Sequence, residues 1–216
     1  GYMLGGWSFS NISGDKTENS LGLNDYWIVK IDALGDFQWQ NSIGGGGEDM
    51  LASLQQTIDG GYILGGFSRS SISGDKTENS LGITDYWIVK TDSLGSIQWQ
   101  NTIGGNFNDE LYSLIQTADT GYLLAGISNS GISGDKTENG LGDMDYWIVK
   151  TDSIGNIQWQ NTVGGSYYDY LFSIQETKNG SYAIGGYSGS NISFDKTENC
   201  SSSDYWLVKL TEDYNL

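Results

Sequence analysis

The stretch from Asp85 to Gly105, DYWIVKTDSLGSIQWQNTIGG, occurs sixty residues earlier as DYWIVKIDALGDFQWQNSIGG and sixty residues later as DYWIVKTDSIGNIQWQNTVGG. A shortened copy, DYWLVKLTEDY, runs from Asp204 to Tyr214. Units restated at a fixed spacing share one continuous core, so the chain is read as a single domain, 1-216, rather than two. Registers opening at Gly1, Gly61, Gly121 and Ser181 give repeats 1-60, 61-120 and 121-180 and an incomplete 181-216, aligned without insertion or deletion.

Each copy of the stretch reads as two strands around an Asp-x-x-Gly turn, because alternating aromatic or β-branched residues flank the break at Asp92 to Gly95. The second register predicts four strands: Tyr62 to Ser68, Asp85 to Thr91, Ile97 to Ile103 and Glu110 to Thr117. Short turns such as Asp59 to Gly61 join one register to the next. A four-stranded antiparallel unit has two apolar faces and cannot bury both alone, so neighbours must stack. The expectation is all-β, a β-propeller with one four-stranded blade per repeat, preferred over a solenoid because solenoid coils are shorter.

With the run Leu111 to Thr117 innermost, the chain opens on the second strand of a blade and closes on the third. Fourteen strands are then present where four full blades need sixteen. The first blade lacks its inner strand and the last its outer one, and such edges invite pairing. Membership of a larger ring, closure with incomplete blades and head-to-tail completion by a neighbouring molecule all satisfy this.

The balance of ten basic against twenty-seven acidic residues, a net charge of −17, repels phosphate backbones and argues against nucleic acid or an anionic membrane as partner. No window approaches the ~18 apolar residues of a membrane span. The absence of histidine removes the usual general base near neutral pH. Cys200, the single cysteine, has no partner for an internal disulfide and is read as an incidental small residue. The start in mid-pattern, without an initiator Met, reads as the product of a longer precursor.

Chemistry is expected in the long connection from Ser8 to Asp25, which carries SGDKTEN or a near copy in every register, with Phe194 in place of the motif's Gly in the fourth. Its oxygen donors are of the hard type that Ca2+ prefers: Asp15, Glu18 and Asn19, Asp75, Glu78 and Asn79, Asp135, Glu138 and Asn139, and Asp195, Glu198 and Asn199, with Thr17 and its counterparts beside them. Asp25, Asp85, Asp145 and Asp204 add a further carboxylate. The competing reading is a capping box, Asp15 capping one helical turn that Glu18 closes, which explains D-x-x-E without a metal.

Trp27, Trp87, Trp147 and Trp206 of DYW, and Trp39, Trp99 and Trp159 of QWQN, hold fixed strand positions, which suits packing between blades; stacking on sugar rings is the alternative. Trp7, Phe67, Ile127 and Tyr187 share a position that tolerates any bulky apolar side chain and is read as core. Every plausible acid is repeated, and the residues that are not (Arg69, Cys200, Tyr167, Tyr168, Tyr170) form no nucleophile-base set, so the chain is read as no enzyme. Glycosidic cleavage by paired carboxylates is the catalytic alternative.

Over nearly its whole length the chain resembles secreted bacterial β-propeller repeat proteins, on Tyr62, Gly66, Ser68, Asp75, Asp85, Tyr86, Trp87, Lys90, Gly95, Trp99, Gly104 and Gly105. The resemblance implies export to the cell surface or medium as type IX secretion cargo, LTEDYNL lying just before a sorting tail. Asp92-Ser93-Leu94 and Asp152-Ser153-Ile154 are similar to a bacterial O-glycosylation signal, on Ser93 and Ser153. The expected function is a non-catalytic extracellular binding, adhesion or assembly module with a protein or glycan partner, or a second copy. A calcium-dependent glycan-binding propeller is the alternative, and a polysaccharide-degrading enzyme the second.

Overall fold

The computed structural model describes residues 1–211, all strand, turn and loop. The LTEDYNL ending runs beyond them. Fourteen strands follow in order: β1 (Tyr2–Ser8), β2 (Asp25–Ile31), β3 (Phe37–Ile43), β4 (Asp49–Gln56), β5 (Tyr62–Ser68), β6 (Asp85–Thr91), β7 (Ile97–Ile103), β8 (Asp109–Gln116), β9 (Tyr122–Ser128), β10 (Asp145–Thr151), β11 (Ile157–Val163), β12 (Asp169–Glu176), β13 (Tyr182–Ser188) and β14 (Asp204–Leu210). They form four antiparallel sheets: β1-β2-β3, β4-β5-β6-β7, β8-β9-β10-β11 and β12-β13-β14. The sheets therefore straddle the sequence registers, and among the described residues the first and fourth have three strands where the second and third have four. The fourth long loop is one residue shorter than the others, because β14 opens at Asp204; the alignment without deletion is corrected there.

Each sheet packs on the strand that opens the next, β1 and β2 against β4, β4 and β5 against β8, and β8 and β9 against β12, while no strand of the first sheet packs broadly on the fourth. Three cores of one formula lie between the sheets. Tyr26 and Ile28 meet Tyr62, Leu64, Trp87 and Val89; Tyr86 and Ile88 meet Tyr122, Leu124, Trp147 and Val149; Tyr146 and Ile148 meet Tyr182, Ile184, Val208 and Leu210. The DYW motif serves both faces. Its Tyr reaches forward, with Tyr26 Oη donating to the Trp87 carbonyl and Tyr86 Oη to the Trp147 carbonyl, both at 2.9 Å, and its Trp receives the preceding Tyr ring at a centroid distance of 4.9 Å in both pairs.

QWQN ties the same junctions from the outside. Trp39 lies against Gly95 of the next sheet, where a Cβ would come within 2.7 Å of the indole, and Asn41 Nδ2 donates to the Gly95 carbonyl at 3.0 Å. Gly95 itself sits at φ +85°, a conformation that the Asp92 turn requires and side chains resist. Of the position read as core, only Ile127 is fully buried, while Trp7 is 48% exposed. Trp7 lies on β1, an edge strand of the first sheet.

Candidate functional site

The SGDKTEN loops are built into the sheets. Ser73 and Lys76 pair backbone to backbone around Gly74, a tight turn at φ +55° in place of the capped helical turn. Glu78 does not fold back: its Oε2 accepts the N–H of Thr102 at 2.6 Å, as Glu18 accepts from Ser42 and Glu138 from Thr162. Asn19, Asn79, Asn139 and Asn199 each accept the backbone N–H of the residue seven before them.

Asp75 clamps the preceding sheet. Its N–H donates to the Gly44 carbonyl at 2.8 Å and its carboxylate accepts the Gly44 N–H, an exchange repeated by Asp135 with Gly104 and by Asp195 with Gly164. Asp15 has no preceding sheet to clamp. Lys76 is buried with Nζ 5.1 Å from the centre of the Trp87 ring and donates to Thr102 Oγ1; burial pulls its pKa down to about 8. Gln100 is the hub that joins loop to sheet: Oε1 accepts from Trp87 Nε1 and the Thr77 N–H, and Nε2 donates to the Asp75 carbonyl. The same bonds recur at Gln40 and Gln160. Among the described residues no group of three or more His, Cys, Asp or Glu is arranged to hold a metal ion.

Beneath the loops, Asp25, Asp49, Asp85, Asp109, Asp145 and Asp169 are at most 1% exposed. One oxygen of each is satisfied: Asp85 Oδ2 accepts from Ser80 Oγ and the Leu81 N–H, and Asp109 Oδ2 from the Gly105 N–H and Ser130 Oγ. The other oxygen of all six is buried without a hydrogen bond. That of Asp85 lies so close to Gly104 that a Cβ there would stand 2.0 Å away, which is why the loop needs glycine. Burial raises the carboxyls of Asp49, Asp109, Asp145 and Asp169, that of Asp145 to about 6.

Apolar strand faces that neighbouring sheets cover elsewhere stay open at the two ends of the stack. On the first sheet Tyr2 is 62% and Leu4 52% exposed, whereas the equivalent Tyr62 and Leu64 are 3% and 0% exposed. Leu4, Trp27, Val29, Ile31 and Phe37 line an apolar hollow of about 460 Å³ there. On the fourth sheet Tyr205 is 98% and Leu207 75% exposed, whereas Tyr86 and Ile88, which hold those places in the second, are fully buried. The first sheet thus presents the half of a junction that receives Tyr, and the fourth the half that supplies it. Sequence periodicity marks these positions as interface without saying which copies stay uncovered.

No protein-family model matches the chain, and no curated protein is significantly similar to it. No helix of the described residues is long and apolar enough to cross a membrane.

Proposed function

We propose that the chain is a non-catalytic binding and assembly module whose sheets are propeller-type blades, working at the cell surface or in the surrounding medium. Its partner is a second copy docked head to tail, the Tyr205 face of one on the Trp27 face of the other. The observation that carries this reading is that the two open ends are the two halves of a junction the chain already forms three times. Docking would place Tyr205 against Trp27 as Tyr26 lies against Trp87, and covering a Tyr or Leu of this exposure contributes about 1.5–3 kcal/mol per side chain. Such a contact is heterologous and propagates into a ring or a filament. The likeness of the repeat to secreted propeller-repeat proteins supports the extracellular setting.

Sedimentation velocity between about 1 and 100 μM tests it. The expected result is a weight-average sedimentation coefficient that rises with concentration, and more steeply in salt, because a charge of −17 per chain opposes association at low ionic strength. A single species of monomer mass across that range would refute it.

A further inference from the structure

The repeat is broken in one patch of the fourth sheet. Where the second sheet pairs Arg69 Nη1 with Glu48 Oε2 at 2.5 Å, and the third bonds Asn129 Oδ1 to the Asn108 N–H at 2.8 Å, the fourth has Tyr168 and Gly189. The missing side chain makes room for the ring: a Cβ on Gly189 would lie 2.7 Å from its carbons. Met50 and Glu110 are likewise answered by Tyr170, and Phe67 and Ile127 by Tyr187.

These substitutions assemble one surface. The rings of Tyr170 and Tyr187 stack at 5.2 Å and 13°, and Tyr168 stands edge-on to both at 6.2 Å. Phe172, half exposed, extends the surface at 5.6 Å from Tyr187. An open cleft of about 570 Å³ runs over Tyr168, Tyr170, Tyr187 and Met144, with Asp143 and Ser203 on its polar side.

The geometry points to a binding site for a neutral oligosaccharide in this cleft. The C–H face of a pyranose is apolar and weakly positive, so it packs on the electron-rich face of a Tyr ring. Its hydroxyls donate to the Asp143 carboxylate and exchange hydrogen bonds with Ser203. A few polar groups beside an aromatic wall in a volume of this size suit such a ligand. No Lys or Arg lines the cleft, and Asp143 with the chain's net charge repels an anionic sugar or phosphate.

Head-to-tail docking leaves the cleft open. At Gly5 and Gly65 the next sheet's inner strand fills the space, with Leu51 and Leu114 atoms 2.8 and 2.2 Å from where a Cβ would stand. A docked first sheet brings no inner strand. At Gly185 the nearest atom, of Leu207 in its own sheet, is 3.8 Å from that point.

Titration calorimetry on the full chain carrying Leu4→Glu, which removes docking at the far end, separates this site from assembly. Cellohexaose, xylohexaose and mannohexaose are the probes, with trigalacturonate as the anionic control. At least one neutral hexasaccharide is expected to bind and trigalacturonate not to. Tyr170→Ala weakens binding at least tenfold, and Gly189→Asn, which displaces the Tyr168 ring without touching ligand, weakens it at least threefold, each with a native circular dichroism spectrum. Silence with all three neutral probes overturns the proposal. So does undiminished binding in a folded Tyr170→Ala chain or, where that chain does not fold, in Gly189→Asn.

Discussion

Asp145→Asn isolates the cost of burying a carboxylate at one junction. Asp145 is fully buried; burial and, further, the charge of Asp169 raise its carboxyl from 3.8 to about 6, against the pull of the Leu141 and Gly142 amides. The native state therefore holds a proton that the unfolded chain releases. That stabilisation is complete below about pH 3.8 and lost as the pH rises through about 6, an interval worth about 3 kcal/mol. Asparagine keeps an oxygen for the two amides and places an amide nitrogen beside Gly164, where Asp145 Oδ1 lies buried without a hydrogen bond, a cost of about 1–2 kcal/mol that does not change with pH. The diagnostic quantity is the change in the stability difference between variant and wild type, measured by urea unfolding from pH 4 to pH 7.5. It is expected to move by about 2.4 kcal/mol in the variant's favour over that range, the remainder of the interval lying below pH 4. A difference that stays constant, or moves against the variant, would show that the ionised carboxylate is favourably held, and the reasoning would fail.

Phe194 adopts φ +48° where Gly14, Gly74 and Gly134 adopt +54° to +57°, so Phe194→Gly is expected to raise stability by about 0.5–1 kcal/mol in urea unfolding. Tyr86→Phe leaves the Trp147 carbonyl without its inter-sheet donor at a fully buried site and is expected to cost about 1–3 kcal/mol; Tyr146→Phe, whose bond to the Trp206 carbonyl is 3.3 Å, costs less. Because the SGDKTEN side chains are held by the sheets, excess EDTA is expected to move the melting temperature by less than about 1 °C, whereas a calcium site in those loops would give a larger, concentration-dependent fall.

The strands were legible because runs rich in aromatic and β-branched residues lie between turn signals. Tyr62–Ser68, Asp85–Thr91 and Ile97–Ile103 fall where the pattern puts them, and the fourth strand runs Asp109–Gln116 rather than Glu110 to Thr117 because its pairing with β9 spans Asp109 with Ser128 to Gln116 with Tyr122. The burial of Trp87 and Trp147 between sheets was legible for the same reason. The loops were not. Asp and Glu three residues apart satisfy a capping box on paper, but spacing does not reveal that Thr102, twenty-four residues on, offers Glu78 a better donor. Gln100 was missed because its role exists only once Trp87, Thr77 and Asp75 are brought around it. Tyr168 and Tyr170 stood out as unrepeated residues, yet the surface they form depends on Gly189 and Tyr187 across the strand pair.

A mixing experiment tests head-to-tail assembly most directly. Tyr205→Glu spoils the supplying face and leaves the receiving one intact; Leu4→Glu does the reverse, and both positions are more than half exposed. Sedimentation of each variant alone should show monomer, and an equimolar mixture should show a one-to-one dimer that grows no further. Self-association by either variant alone, or a mixture that stays monomeric while the wild type assembles, would contradict the account.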